Sequence, residues 1–230
     1  NPLCVGTPVT FTSGSFVNPP GNLQKWNWDF GDGTSQVITA PVNPTVSHTY
    51  TTFGSYPVNL WVETNSGCKS SRDTQSVYIG SYPLASFSAP AVVCLPYASA
   101  RFTNSSSVAD NPSNPLSYVW TFGEPSSGNN DTALSNNPAH LYANVGPFQV
   151  RLTTTTQQGC KDDTLIVFNN VYARADAEFN FLPENCLNDS SVFISTASGS
   201  GRPITEWFWD FGDGSLIGNG SRIAHMFLTS

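Results

Sequence analysis

The sequence predicts an all-β chain of tandem sandwiches, two complete and a third truncated. Three observations carry that reading. An aromatic-x-Trp-x-Phe-Gly segment recurs three times at near-constant spacing. Strand-like alternation follows the first two copies. No stretch keeps apolar spacing at the helical period.

The repeat is clearest at the aromatic segment. Trp26-Asn-Trp-Asp-Phe-Gly-Asp-Gly33, Tyr118-Val-Trp-Thr-Phe-Gly-Glu124 and Trp207-Phe-Trp-Asp-Phe-Gly-Asp-Gly214 align. Each is followed by His-x-aromatic: His48-Thr-Tyr50, His140-Leu-Tyr142 and His225-Met-Phe227. From the second aromatic of the segment to the His is 20 residues in copies one and two (28 to 48, 120 to 140) and 16 in copy three (209 to 225). A cysteine opens each copy, Cys4, Cys94 and Cys186, at spacings of 90 and 92 residues. Gly-Cys closes the first two, at Cys68 and Cys160. A matching closing cysteine of copy three is expected beyond Ser230, so the chain reads as a window cut from a longer array.

Each element follows from local pattern. Tyr56, Val58, Leu60 and Val62 alternate with Pro57, Asn59, Trp61 and Glu63, and Phe148, Val150 and Leu152 alternate with Gln149 and Arg151. A period of two marks a half-buried strand. Trp26, Trp28 and Phe30 share one face, as do Tyr118, Trp120 and Phe122, and Trp207, Trp209 and Phe211, so these rings are the predicted cores. Phe-Gly-Asp-Gly then turns the chain, because glycine accepts positive φ and Asp caps its own turn. The predicted domains are residues 1–80, 83–172 and 176–230.

Composition sets bounds on function. Charged residues are 11% of the chain, its net charge is −7, and Lys plus Arg number nine. No basic cluster exists to meet a phosphate backbone, which argues against nucleic acid as a partner. No apolar run reaches the roughly 20 residues of a membrane span.

Several motifs invite a chemical reading. Asp29-Phe-Gly31 and Asp210-Phe-Gly212 match the kinase metal-binding tripeptide, but no Gly-rich phosphate loop, strand Lys or catalytic-loop Asp accompanies them. The carboxylates Asp29 with Asp32, and Asp210 with Asp213, are either caps of their own turns or a calcium site, since Ca²⁺ takes six to eight oxygens. The former is the favoured reading, because no bidentate Glu follows. Thr121 and Glu124 replace the two Asp residues in copy two, which is expected not to bind the ion. The three histidines hold equivalent positions, as residues with a packing or hydrogen-bonding role would. No cysteine spacing fits zinc. With no nucleophile, base and orienting group in sight, no enzymatic activity is expected. Asn104, Asn188 and Asn219 open N-glycan acceptor triplets.

The Trp-Asp-Phe-Gly-Asp-Gly turn, the His-x-Tyr strand and the Gly-x-Tyr-x-Val-x-Leu strand together resemble the PKD family, an immunoglobulin-like module. Copy two departs at the turn, where Pro125 also stands in place of Gly. The paired cysteines look like the version common in secreted proteins of Bacteroidetes. That resemblance implies an extracellular, surface-attached or secreted location. It implies a place in very long adhesins and in gliding or type IX-secreted proteins. It also makes Thr132 in Asp131-Thr-Ala133 and Thr164 in Asp163-Thr-Leu165 candidate O-glycosylation sites.

Two functions compete. One is a non-catalytic structural or adhesive stalk whose partners are neighbouring repeats. The other is an accessory region of a secreted hydrolase that binds polysaccharide or protein. Trp61, the one Trp predicted to face outward, is too little for a planar sugar platform and favours the stalk. The cysteines are expected to be oxidised. The favoured pairing is within each repeat, Cys4 with Cys68 and Cys94 with Cys160, leaving Cys186 without its partner. The alternative is a staple between neighbours, Cys4 with Cys160. The first choice has a weakness: in a simple sandwich the two turns lie at opposite ends.

Overall fold

A computed structural model describes the chain except residues 1, 43, 97, 98, 111–114, 184–188, 216, 217 and 228–230. Cys186 and Asn188 therefore lie outside the described residues. The structure is all-β, and the expected class stands. The described helical structure is a single 3₁₀ stretch, Pro125–Asp131. It sits where copy two loses the Asp-Gly turn. The Asp131 carboxylate there accepts the Glu124 N–H at 2.7 Å, and the Asp131 carbonyl accepts the Phe122 N–H.

The chain divides into two compact units. The first holds residues 1–89, 101–138 and 149–167; the second holds 90–100, 139–148 and 168–230.

The first repeat is a two-sheet sandwich within the first unit. Its strands are β1 (Pro8–Thr12), β2 (Leu23–Asp29), β3 (Ser35–Thr39), β4 (Thr45–Thr49), β5 (Gly54–Thr64) and β6 (Asp73–Ile79). One sheet is the antiparallel pair β1–β4; the other runs β3-β2-β5-β6. Register places Trp26 opposite Val62 and Trp28 opposite Leu60, so the predicted alternation of β5 meets the aromatic face of β2. Val9 and Val46 come from the first sheet. They bury against Trp26, Trp28, Val58 and Val62 from the second, with Phe30, Tyr50 and Ile79 closing the core. Aromatics of this size bury roughly 150–250 Å² each and dominate such a core.

The first unit also contains the aromatic sheet of the second repeat except Phe148 and Phe168, which fall in the second unit. Thr132–Ala133, Ser117–Thr121, Phe148–Thr155 and Lys161–Phe168 are adjacent in that order. Trp120 is wholly buried and packs on Phe87 and Phe102, and Phe102 stacks on Phe122. In the second unit Val93–Cys94 runs parallel to Val171–Tyr172, and Tyr142 stacks on Phe148. The third repeat, also in the second unit, has a three-stranded sheet of Phe179–Leu182, Ser190–Ser195 and Arg222–Met226. Trp207, Trp209 and Phe211 are only half-buried there and line a cavity of about 590 Å³ with Phe179, Phe193 and Phe227.

The turn glycines are not interchangeable. Gly31 has φ +78°, and a Cβ there would lie 2.7 Å from the Pro57 carbonyl oxygen; Gly123, its counterpart, has φ +76° and 2.6 Å to Gln149 N. Gly33 has φ +89° but open space around it. Gly33→Ala should therefore cost only backbone strain, about 1–2 kcal/mol. Gly31→Ala adds a backbone clash and should cost more than ~2 kcal/mol. Urea melts of the two variants measure the difference; equal losses would contradict the close approach.

Candidate functional site

Two sites carry the polar and covalent chemistry of the chain: the Asp-His turn, and the junction between the first two repeats.

At the turn, the first Asp caps its own loop. Asp29 Oδ1 accepts the Gly31 N–H at 3.1 Å, and Asp210 Oδ1 accepts the Gly212 N–H at 3.0 Å. The second Asp ties the turn to the His strand. Asp32 Oδ1 accepts the Thr34 N–H (3.0 Å) and hydroxyl (2.6 Å), while Oδ2 meets His48 Nε2 at 2.7 Å. Repeat three copies this: Asp213 Oδ1 accepts the Ser215 N–H at 3.0 Å, and Oδ2 meets His225 Nε2 at 2.8 Å. The imidazoles stack on the turn phenylalanine, His48 on Phe30 at 4.0 Å and His225 on Phe211 at 3.9 Å. The next aromatic of the strand stands edge-on, Tyr50 to His48 and Phe227 to His225. The Tyr50 hydroxyl donates to the Phe30 carbonyl, and burial pushes its pKa up to about 12. In copy two, Glu124 and His140 are both buried.

These contacts bear on the candidate calcium residues. Oxygens of Asp29, Asp32, Asp210 and Asp213 already accept hydrogen bonds from the protein. Among the described residues no group of three or more His, Cys, Asp or Glu is gathered as a metal site. Trp61 has the Arg72 guanidinium 4.5 Å over its ring, so one of its faces is covered. Thr132 is exposed and Thr164 half-buried, both in strands.

The junction corrects the favoured cysteine pairing. Cys4 is bonded to Cys160, with Cα atoms 5.7 Å apart, and Cys68 and Cys94 are exposed free thiols. The reason is the length of β5. Cys4 lies beside Gly80, and the adjacent Ile79 pairs with Gly54, the first residue of β5. Cys68 follows Thr64, the last residue of the same strand. Eleven residues at ~3.3 Å each put the two ends roughly 33 Å apart, where a disulfide needs Cα atoms within about 7 Å.

Hydrogen bonds complete the junction. Leu3 N–H donates to the Gln158 carbonyl (3.0 Å), Gly80 N–H to the Leu3 carbonyl (2.8 Å) and Val5 N–H to the Gly80 carbonyl (3.0 Å). Asp110 accepts from the Tyr78 hydroxyl (3.1 Å) and the Ser81 N–H (3.0 Å). Within repeat two, Asp162 accepts from the Ala85 N–H at 2.8 Å. Neither Asp110 nor Asp162 was singled out from sequence, because neither belongs to a recurring motif. Gly80 allows a close approach here: a Cβ would come within 3.1 Å of the Gln158 side chain, which would have to shift by a few tenths of an ångström.

The turn carboxylates make stability depend on pH. The Ser215 side chain first, then His225, holds the Asp213 carboxyl down at about 2. Burial pushes Asp32 upward, but hydrogen bonds from the Thr34 hydroxyl and His48 outweigh it and leave the carboxyl lowered. A folded pKa below the unfolded value of 3.8 means the unfolded chain binds more protons. The contribution is thus full above 3.8 and is lost as pH falls through the folded value. Urea midpoints should fall from pH 4 to pH 2, by an amount that solvent screening at these exposed turns keeps small, and Asp213→Asn should remove the share belonging to repeat three. A flat profile would contradict the Asp-His tie.

Comparison with known proteins agrees with this architecture. The PKD domain profile matches residues 1–79 and again 82–169. Human polycystin-1 is 29% identical over 224 residues, 93% of this chain and 5% of that protein. The microbial collagenase of Vibrio alginolyticus is 36% identical over 63 residues, 27% of this chain and 7% of that protein. The chain thus spans only 5% and 7% of the length of these relatives. Among solved structures, Drosophila OTK extracellular domains 3–5 align at 14% identity and TM-score 0.33, over 92% of this chain and 77% of that one. A carbohydrate-binding module of the β-sandwich superfamily aligns at 13% and 0.31, over 73% and 80%. Both structural likenesses are too distant to bear on function. With the profile matched twice over most of its length, the chain belongs to the PKD domain family.

Proposed function

We propose that this chain is a tension-bearing spacer, a non-catalytic repeat segment of a larger extracellular protein of bacterial surface or secreted type. The observation that carries the reading is the bond from Cys4 to Cys160, which spans 156 residues. Tension entering at the N-terminus passes from Cys4 straight to Cys160. The first sandwich and most of the second hang from that bond outside the line of force. Native hydrogen bonds across the junction hold the same two repeats in register.

Other observations support the assignment. His48 presents one nitrogen, Nε2, to both Asp32 and Thr34. A nucleophile–base–orienter relay needs the two ring nitrogens to serve different partners, so this arrangement suits a structural tie. The disulfide fits an oxidising compartment. No helix among the described residues is long and apolar enough to cross a membrane. The collagenase relative favours a second reading, an accessory region of a secreted hydrolase that binds polysaccharide or protein. The Arg72 cover on Trp61 weighs against a sugar platform in repeat one. Calcium has no part in the proposal, since the turn aspartates are engaged by the chain itself.

Single-molecule stretching between the termini tests the spacer. The oxidised chain should withhold about 560 Å of extension, the contour of the bypassed segment at ~3.6 Å per residue. Reductant should release it. Full extension of the oxidised chain would overturn the proposal, and saturable binding to polysaccharide would favour the accessory reading.

A further inference from the structure

The two free thiols, Cys68 and Cys94, occupy the same built positions as the two bonded ones. The closing turns are alike. Cys160 N–H donates to Thr156 Oγ1 (3.2 Å) and Cys68 N–H to Thr64 Oγ1 (3.1 Å). Thr156 N–H donates to the Cys160 carbonyl and Thr64 N–H to the Cys68 carbonyl, both at 2.9 Å. Gly159 and Gly67 N–H close the turns at 3.0 Å onto Thr156 and Thr64. The opening segments also match. Cys4 bridges Gly80 in parallel, and Cys94 pairs Tyr172 in parallel. Val5 N–H donates to the Gly80 carbonyl (3.0 Å), and Leu95 N–H to the Tyr172 carbonyl (2.9 Å).

What differs is occupancy. At Cys4 the turn of the following repeat is seated: Gln158 bonds Leu3, and Cys160 Sγ lies 3.8 Å from the Gly80 carbonyl oxygen. At Cys94 there is a cleft of about 680 Å³, lined by Cys94, Gly146, Tyr172, Arg174, Arg202 and Glu206. The following repeat already touches this junction. The Arg202 guanidinium sits 4.0 Å over the Tyr172 ring, and Ser200 Oγ donates to the Arg174 carbonyl. Asp110 of repeat two touches Tyr78 and Ser81 at the first junction in the same way. Tyr172 carries a Cβ where Gly80 has none, so the turn that seats at Cys94 must differ from repeat two at the residue equivalent to Gln158.

We infer that the opening cysteine of each repeat bonds the closing cysteine of the next, so that Cys94 takes the closing Gly-Cys turn of the third repeat and Cys68 takes the opening cysteine of a PKD repeat placed before the first. The bond at Cys4–Cys160 is then one rung of a series, and the loops overlap: each begins inside the one before it. The inference rests on the spacer reading for its purpose but not for its chemistry. Each rung forms by thiol–disulfide exchange. Two cysteine thiols lose two protons and two electrons, and a disulfide oxidant such as glutathione disulfide gains them to become two thiols.

Two extended chains test it, each refolded with glutathione disulfide, alkylated, digested without reduction and mapped by mass spectrometry. In the first, a second copy of residues 146–172, carrying Gln158→Gly to leave room for the Tyr172 side chain, is joined after Ser230, supplying a closing cysteine to repeat three. A peptide linking Cys94 to the appended cysteine is expected beside Cys4–Cys160, and alkylation of Cys94 should be lost. A link from the appended cysteine to Cys186 would overturn the inference. In the second, a copy of residues 81–182 is placed before Asn1, so that every added strand comes from a whole natural repeat. Cys68 should then link to the added counterpart of Cys94. Free alkylation of Cys68 in that chain, with Cys4–Cys160 formed, would overturn the inference even if the first extension fails to fold. Stretching separates the two claims: the rungs can map as expected while the oxidised chain still extends fully, which defeats the spacer alone.

Discussion

Strand β5 is eleven residues long, and its length decides where the cysteines of a repeat can go. One cysteine lies beside the end of the repeat, at Gly80; the other lies past the far end of β5. A disulfide reaches about 7 Å between Cα atoms, a small fraction of the strand. No rotamer change closes such a gap. The bond must leave the repeat, and the opening cysteine meets what is adjacent to Gly80, which is the closing turn of the following sandwich. The hydrogen bonds from Leu3, Tyr78 and Ser81 then fix the registration that brings the sulfurs together.

The rest of each repeat serves to keep that strand straight and its two ends in place. The aromatic face of Trp26, Trp28 and Phe30 packs the core on one side, and the Phe-Gly turn brings the backbone against Pro57 of β5. The Asp-His tie joins the turn to β4 across the two sheets, so the sandwich is pinned at the end where its aromatic strand leaves. In a small sandwich with few charged residues, these local polar contacts add to burial rather than compete with it. Each accepts a donor that would otherwise need water.

Much of this was legible in the sequence because it repeats. Alternation of period two located the strands at Tyr56–Val62 and Phe148–Leu152. The shared aromatic-x-Trp-x-Phe faces located the cores, and Phe-Gly-Asp-Gly located the turn in copies one and three. The capping role of Asp29 was readable from residue type, and the packing role of the three histidines from their recurrence. The bond from Asp32 to His48 was not, since the residues are sixteen apart and only the sheet pairing brings them together. The cysteine pairing failed for a related reason. Constant spacing fits a bond within a repeat and a bond between repeats equally well, and strand length had to decide. Asp110 and Asp162 left no signal at all, because each makes a tie that recurs in no motif, Asp110 at the junction and Asp162 within repeat two.

The central claim is that the covalent link crosses from the first repeat to the second. Peptide mapping of the chain as it stands, alkylated under native conditions and digested without reduction, addresses it most directly. The account predicts one linked pair containing Cys4 and Cys160, with alkyl groups on Cys68 and Cys94. A linked pair containing Cys4 and Cys68 would contradict it.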